Sequence, residues 1–268
     1  MDGTRPVFIL GPCVIESEDF VWNMARELQI LARRLGIQFV FKASYDKANR
    51  TSISSFRGIG CREGCQILAA IGAELGVPVT TDVHSSEEAR IAAEYVDILQ
   101  IPAFLCRQTD LVVAAAETHR VVNVKKGQFL APWDVKPIAE KILACGNENF
   151  FFTERGASFG YNNLVADMRS LHWIREAGYR IVFDATHSVQ RPGGMGHSSG
   201  GDGVLAPVLA RAAVATGCDG VFMETHFDPT KALSDGPNQV PLARLADVLQ
   251  TLLAVHDAVS RPVSTNLR

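Results

Sequence analysis

The sequence predicts an α/β protein of the (β/α)8 TIM barrel class, and three observations carry that expectation. Short runs of β-branched and aromatic residues recur about every thirty positions, segments of helical periodicity lie between them, and the chemically capable side chains gather directly after the runs. Eight strands alternating with helices close more naturally into a barrel than into an open sheet. The 268 residues, 47% of them hydrophobic and 21% charged, suffice for one large core, and no linker or low-complexity stretch divides them. A single catalytic domain over 1–268 is therefore expected.

The first strand is expected at 7–10, where VFIL is an unbroken apolar run. QFVFK at 38–42, VPVTT at 77–81 and DILQI at 97–101 supply the second to fourth. VVNV at 121–124, NFFFT at 149–153, RIVF at 180–183 and GVFM at 220–223 complete the ring. Helical periodicity places helices at 25–35, 66–75, 110–118, 164–177, 204–216 and 242–259, with Gly36, Gly76, Gly178 and Gly217 positioned to end them.

Composition narrows the partners. A net charge of −3 lacks the basic excess that a phosphate backbone demands, so nucleic acid is not an expected partner. No apolar stretch reaches the roughly 18 residues of a membrane span, and the apolar run near the N-terminus is too short for a secretory signal. Cys13, Cys61, Cys65, Cys106, Cys145 and Cys218 have no disulfide-framework spacing, which fits a reducing, cytoplasmic setting. Cys61 and Cys65 stand one helical turn apart with no third ligand nearby and are expected to pack.

Directly after the strands come GPCVIES (11–17), KASYDKANRTS (42–52), TDVHS (81–85), QIPAFLCRQTD (100–110), NVKKGQ (123–128), TERG (153–156), DATHSVQRPGG (184–194) and METHFDP (223–229). Barrel enzymes assemble their active sites on this strand C-terminal face. Cys13, His187, Glu224 and Asp235 bring a thiol, an imidazole and two carboxylates there, a donor set for Zn²⁺, Fe²⁺, Mn²⁺ or Co²⁺ rather than Mg²⁺. Lys42, Lys47, Arg50, Lys125 and Arg155 add five cations, which suit two separate anionic groups better than a neutral ligand. Asn49 and Thr51 alternate with them and can bind hydroxyls or phosphate oxygens. His197, Ser198 and Ser199 lie among glycines in a stretch that reads as a mobile cover over the site.

GPCVIES, FKASYDKANRTS, QIPAFLCRQTDL, NVKKGQF, ERGASFGYNNLVADMRS, DATHSVQ, GVFMETHFDP and ALSDGPNQVPL occur in this order along nearly the whole chain. Together they resemble the 3-deoxy-D-manno-octulosonate-8-phosphate synthases. That resemblance implies a homotetrameric barrel joining phosphoenolpyruvate to arabinose 5-phosphate with water and releasing inorganic phosphate. It assigns Lys42, Ser44, Gln100, Lys125 and Arg155 to phosphoenolpyruvate. Lys47, Asn49, Arg50 and Thr51 go to arabinose 5-phosphate, with Arg107 reaching the sugar phosphate of a neighbouring subunit. Lys42, Lys47, Lys125 and His187 are the expected catalytic groups. Cysteine at 13 resembles the metal-dependent branch, since the metal-independent branch has asparagine there. The family often has Ser where Thr51 stands, a change that keeps the hydroxyl.

Three other readings compete. The 3-deoxy-D-arabino-heptulosonate-7-phosphate synthases share the barrel, phosphoenolpyruvate and a similar metal set, but carry a KPRTS-type segment where this chain has KANRTS. A Schiff-base aldolase would use Lys42 or Lys125. A sugar-phosphate sensor without catalysis is expected to have lost ligands or cations that are present here.

Overall fold

The computed structural model describes residues 5–192 and 200–260. Eight parallel strands, β1 (Val7–Gly11), β2 (Phe39–Lys42), β3 (Val79–Asp82), β4 (Ile98–Ile101), β5 (Val121–Lys125), β6 (Phe150–Glu154), β7 (Ile181–Asp184) and β8 (Gly220–His226), follow one another in chain order. The ring closes where β8 pairs in parallel with β1, Gly220 opposite Val7 and Glu224 opposite Gly11. Around it lie α1 (Glu18–Leu35), α2 (Cys61–Leu75), α3 (Ser86–Ala93), α4 (Thr109–Glu117), α5 (Lys136–Ala144), α6 (Arg169–Glu176), α7 (Ala206–Thr216) and α8 (Leu242–Val259).

Strand alternation explains the two cores. Val7, Ile9, Val40, Ile98, Phe151, Val182 and Phe222 point inward and form the barrel's own apolar cluster. Their neighbours Phe8, Leu10, Phe39, Phe41, Leu99, Phe152 and Phe183 point outward against the helices, where α1 contributes Val21, Met24, Leu28 and Leu31. Parallel strands covered on both faces need this nearly unbroken hydrophobicity. Among the described residues no helix is long and apolar enough to cross a membrane.

Several boundaries differ from the sequence expectation, each for a local reason. Helix α1 starts at Glu18 rather than 25, because Ser17 caps it by accepting the Phe20 N–H at 3.2 Å and Glu18 and Asp19 face its positive end. Helix α3 was not expected, since eight residues that bury only Ala89 and Ala92 carry little periodic signal; Ser85 caps it by accepting the Glu88 N–H at 3.1 Å. Helix α5, likewise unexpected, has Pro137 in its first turn. Helix α2 begins at Cys61, which is half-buried, while Cys65 is buried, and both thiols are free. The helix expected at 164–177 shrinks to α6, because Leu164–Val165 pairs antiparallel with Ala157–Ser158. The third strand begins at Val79, after Pro78, and the last runs on to His226, so that Glu224 lies within it. Gly36, Gly76 and Gly217 cap their helices in the left-handed conformation; Gly178 takes positive φ one residue beyond the Ala177 cap. In the glycine-rich stretch, Gln190–Arg191 pairs antiparallel with Gly200–Gly201, and His197, Ser198 and Ser199 lie outside the described residues.

Candidate active site

Two residues beyond the inward apolar row, the same strand faces carry polar groups. Val40 is followed by Lys42, Ile98 by Gln100, Val182 by Asp184 and Phe222 by Glu224, all four polar residues buried. Above them opens a cavity of about 560 Å³ lined by Lys42, Gln100, Lys125, Arg155, His187 and Glu224 from the barrel. Lys47, Asn49, Arg50 and Thr51 line it from the β2–α2 loop, and Ser234 and Asp235 from the loop after β8. Of the expected site residues, Ser44 and Cys13 sit just behind this wall, and Arg107 stands apart. Exposed Arg107 lines a neighbouring cavity of about 440 Å³ with Ser85, Ser86 and Thr109, and the two cavities share His84 and Leu105.

The buried lysines at the strand ends are paired with carboxylates, as the cost of an uncompensated charge requires. Lys42 Nζ lies 2.9 Å from Glu224 Oε1 and donates to the Cys13 carbonyl at 3.1 Å, with the two ionic side chains only 2% and 1% exposed. Lys125 pairs with Asp184 and stands 3.6 Å above the centroid of the Phe222 ring. Burial draws the Lys125 pKa below its ordinary value, an effect that Asp184 only partly offsets. Burial also opposes the charge on Lys47, but Cys13, Glu224 and Asp82 around it hold its pKa well above the usual lysine range. Arg155 donates to the His187 carbonyl at 3.1 Å and to Gln190 Oε1 at 2.7 Å. Gln100 is set by a relay in which the Thr153 hydroxyl donates to Asn123 at 2.7 Å and the Asn123 amide donates to Gln100 Oε1 at 3.4 Å.

Opposite this cationic half, donor atoms of Cys13, Glu224 and Asp235 lie within 4.8 Å of one another. The Cys13 thiol faces Ser234 Oγ at 3.2 Å and Asp235 Oδ2 at 3.7 Å. His187 Nε2 stands 3.6 Å from Glu224 Oε2 and 4.0 Å from Asp235 Oδ2. Asp184 holds the ring from behind, its Oδ2 at 2.8 Å from His187 Nδ1 and its Oδ1 accepting the His187 N–H at 3.0 Å. A proton kept on Nδ1 leaves the Nε2 lone pair directed at the carboxylates, the arrangement a metal-binding imidazole uses. Burial, and then the Glu224 charge, push the Cys13 thiol far above its ordinary range, while Lys42 and His187 offset burial to hold Glu224 well below its own. A divalent ion among these groups would reverse the pressure on the thiol, so this donor set forms a possible metal site.

Backbone constraints bring these ligands together. A side chain on Gly11 would place its Cβ 1.8 Å from the Lys42 carbonyl oxygen, so only glycine lets the chain leave β1 across β2 toward Cys13. Asp235 adopts left-handed φ 50°, and a Cβ on the next residue, Gly236, would sit 2.3 Å from the Pro229 carbonyl oxygen. That tight turn folds Asp235 back to Glu224, eleven positions earlier.

Asp82 and His84 also line the cavity, and sequence reasoning assigned them no role. His84 Nε2 lies 3.1 Å from Asp82 Oδ2 and its Nδ1 3.3 Å from Glu88 Oε2. Burial disfavours the imidazolium, but the Asp82 hydrogen bond and charge outweigh it and raise the His84 pKa; His84 and Lys47 likewise outweigh burial to keep Asp82 low. Ser44 donates to the other oxygen of Asp82. Asp184, Gln190 and Ser234 were missed too. For Asp184 the available signal was its position three residues before His187, which places a carboxylate behind a ligating ring.

Fold and cavity define a class: a barrel enzyme with a thiol, imidazole and carboxylate centre facing a cation-lined pocket. The chain belongs to the DAHP synthetase I family, whose profile matches residues 2–261. It is 60% identical over 259 residues to a 2-dehydro-3-deoxyphosphooctonate aldolase of Trichlorobacter lovleyi, covering 97% of this chain and 95% of the relative. Proteins of the same name from Geobacter metallireducens and a Synechococcus species are 60% and 57% identical, over 97% and 99% of this chain and 95% and 93% of theirs.

Proposed function

We propose that this protein condenses phosphoenolpyruvate with D-arabinose 5-phosphate and water to give 3-deoxy-D-manno-octulosonate 8-phosphate and inorganic phosphate. It is an aldol-type transferase of lipopolysaccharide sugar biosynthesis. The observation that carries this reading is the near full-length similarity to octonate aldolases at up to 60% identity, with Lys47 to Thr51 of the KANRTS segment standing at the pocket wall. Use of erythrose 4-phosphate, the heptulosonate alternative, is not favoured by these relatives.

In the reaction, carbon 3 of phosphoenolpyruvate attacks the aldehyde carbon, water adds to carbon 2, and the resulting hemiketal phosphate loses phosphate as its C–O bond breaks. Lys42, Ser44, Gln100, Lys125 and Arg155 hold phosphoenolpyruvate, so that cations face both its carboxylate and its phosphate. Lys47, Asn49, Arg50 and Thr51 hold the aldose, and Arg107 extends to the sugar phosphate in a neighbouring subunit of a homotetramer. Lys47, kept protonated by the acids around it, stabilises the alkoxide forming at the aldehyde oxygen from its Nζ. Burial disfavours the Lys125 charge, so an anionic substrate beside it favours the ammonium form. Cys13, His187, Glu224 and Asp235 would hold Zn²⁺, Fe²⁺, Mn²⁺ or Co²⁺, which when bound would supply Lewis acidity toward the aldehyde. Free thiols throughout the described chain support a reducing cytoplasmic setting.

Phosphate release from phosphoenolpyruvate is the decisive assay. Turnover with arabinose 5-phosphate, lost on chelation and restored by a transition ion, is the expected result; preference for erythrose 4-phosphate overturns the reading. Metal-free protein, verified by elemental analysis, that works at full rate would remove the metal assignment alone. Mixing inactive Arg107→Ala and Lys125→Ala subunits tests the shared site, since hybrids restore some sites with both residues intact.

A further inference from the structure

One oxygen touches both halves of the mouth. Ser234 Oγ, on a residue only 2% exposed, receives the Cys13 thiol at 3.2 Å and the Arg50 guanidinium at 2.7 Å. Arg50 also donates to the Leu233 carbonyl at 3.1 Å, so two of its N–H groups are engaged by the loop that carries Asp235. That loop is itself pinned. The Leu233 N–H donates to Glu16 at 3.0 Å, the Gln239 amide to the Ser234 carbonyl at 2.8 Å, and the Gln190 amide to Asp235 Oδ2 at 3.2 Å.

A phosphate dianion offers Arg50 two charge-assisted hydrogen bonds, stronger than those to a neutral hydroxyl and a carbonyl. Arg50 therefore exchanges the loop for phosphate when the sugar-phosphate subsite fills, and the pinned Ser234 stays behind. With Cys13 as a thiolate the sulfur carries no proton, and the Ser234 hydroxyl donates to it across the same gap. A hydroxyl that also accepts from a guanidinium is polarised and is the better donor for it. We propose that Ser234 is a positioning residue that couples sugar-phosphate capture to the Cys13 thiolate. While Arg50 holds Ser234, the hydrogen bond draws electron density from the sulfur; when phosphate takes Arg50 away, the sulfur becomes a more electron-rich ligand. The inference rests on the roles given to Arg50 and Cys13 under the proposed function, but its test needs no turnover.

The test uses the cobalt-loaded protein and its thiolate-to-cobalt charge-transfer absorption in the near ultraviolet, with inorganic phosphate as the probe. In the wild type, phosphate should move the band saturably to longer wavelength. Ser234→Ala should start at longer wavelength without phosphate and should not respond to it. Arg50→Ala severs the same connection from the other end, away from the buried loop, and should behave alike, so a folding defect in one variant leaves the other decisive. An equal phosphate shift in Ser234→Ala or Arg50→Ala would mean that phosphate acts by direct ligation or from the other anion subsite, and the coupling is overturned. A wild-type band that stays still while calorimetry registers phosphate binding that Arg50→Ala lacks overturns it equally, and a cobalt protein without the band removes Cys13 as a ligand. Failure of the condensation reading would be seen separately, as absent phosphate release by the wild type.

Discussion

The floor and the mouth of the barrel are built from the same strands two residues apart, and they obey opposite rules. The floor of Val7, Ile9, Val40, Ile98, Phe151, Val182 and Phe222 is apolar and interdigitated, and its burial stabilises the closed sheet. The mouth buries Lys42, Lys125, Asp184 and Glu224, whose desolvation opposes folding unless each is paired. The contrast teaches that the charged layer is kept for chemistry at some cost in stability. Phe222 joins the layers: its ring packs in the floor and faces the Lys125 ammonium at 3.6 Å.

The comparison breaks first at that ring. Phe222→Ala should lower stability by about 3–5 kcal/mol through a cavity in the floor, read as a fall in the urea midpoint. A shift under about 1 kcal/mol would mean that the floor is not the structural layer described. At the mouth the expectation inverts. Lys125→Met should cost activity about 10²- to 10³-fold in kcat/KM, in the range of a lost electrostatic donor, and should destabilise the fold by removing the ammonium that offsets the buried Asp184 charge, leaving it His187 and Thr186 as partners. Adding Asp184→Leu should recover part of that stability, because it also takes the carboxylate from behind His187, while the activity loss persists. A double variant no more stable than the single one would place the mouth charges among the stabilising interactions.

Smaller effects sharpen the contrast inside the mouth. Arg50→Ala removes a charged hydrogen-bonding partner worth about 1.5–3 kcal/mol, so the Michaelis constant for arabinose 5-phosphate should rise about 10- to 150-fold with that for phosphoenolpyruvate little changed. Equal effects on both substrates would erase the division into two anion subsites. The smallest change is in pH dependence. His84 has its folded pKa raised from 6.5, so its contribution to stability is complete below that pH and disappears as pH rises through the raised value. Unfolding curves across this window should show the wild type losing stability toward high pH and His84→Asn losing less; parallel curves would detach His84 from Asp82.

Legibility followed the same division. Lys42, Lys125 and Glu224 could be found because each directly follows or ends an apolar run, and Cys13 because it stands three residues past one; a barrel has only one place to put strand ends. Helices α3 and α5 escaped because eight or nine residues with few buried positions carry a weak period, and their starts depend on one Ser and one Pro. Asp82 and His84 stood in view within TDVHS, but a carboxylate at a strand end and a histidine just beyond it say nothing of the Glu88 and Ser44 contacts that give them charge and direction.

By itself the sequence determined the alternation of strand and helix and which residue types would stand at the strand ends, because short apolar runs and a period of 3.6 are written along the chain. Only the tertiary structure decided partnership: Lys42 with Glu224, Lys125 with Asp184, and Ser234 between Cys13 and Arg50. Those pairs join residues separated by 182, 59, 221 and 184 positions. No local pattern encodes such contacts; ring closure and the left-handed turn at Asp235 create them.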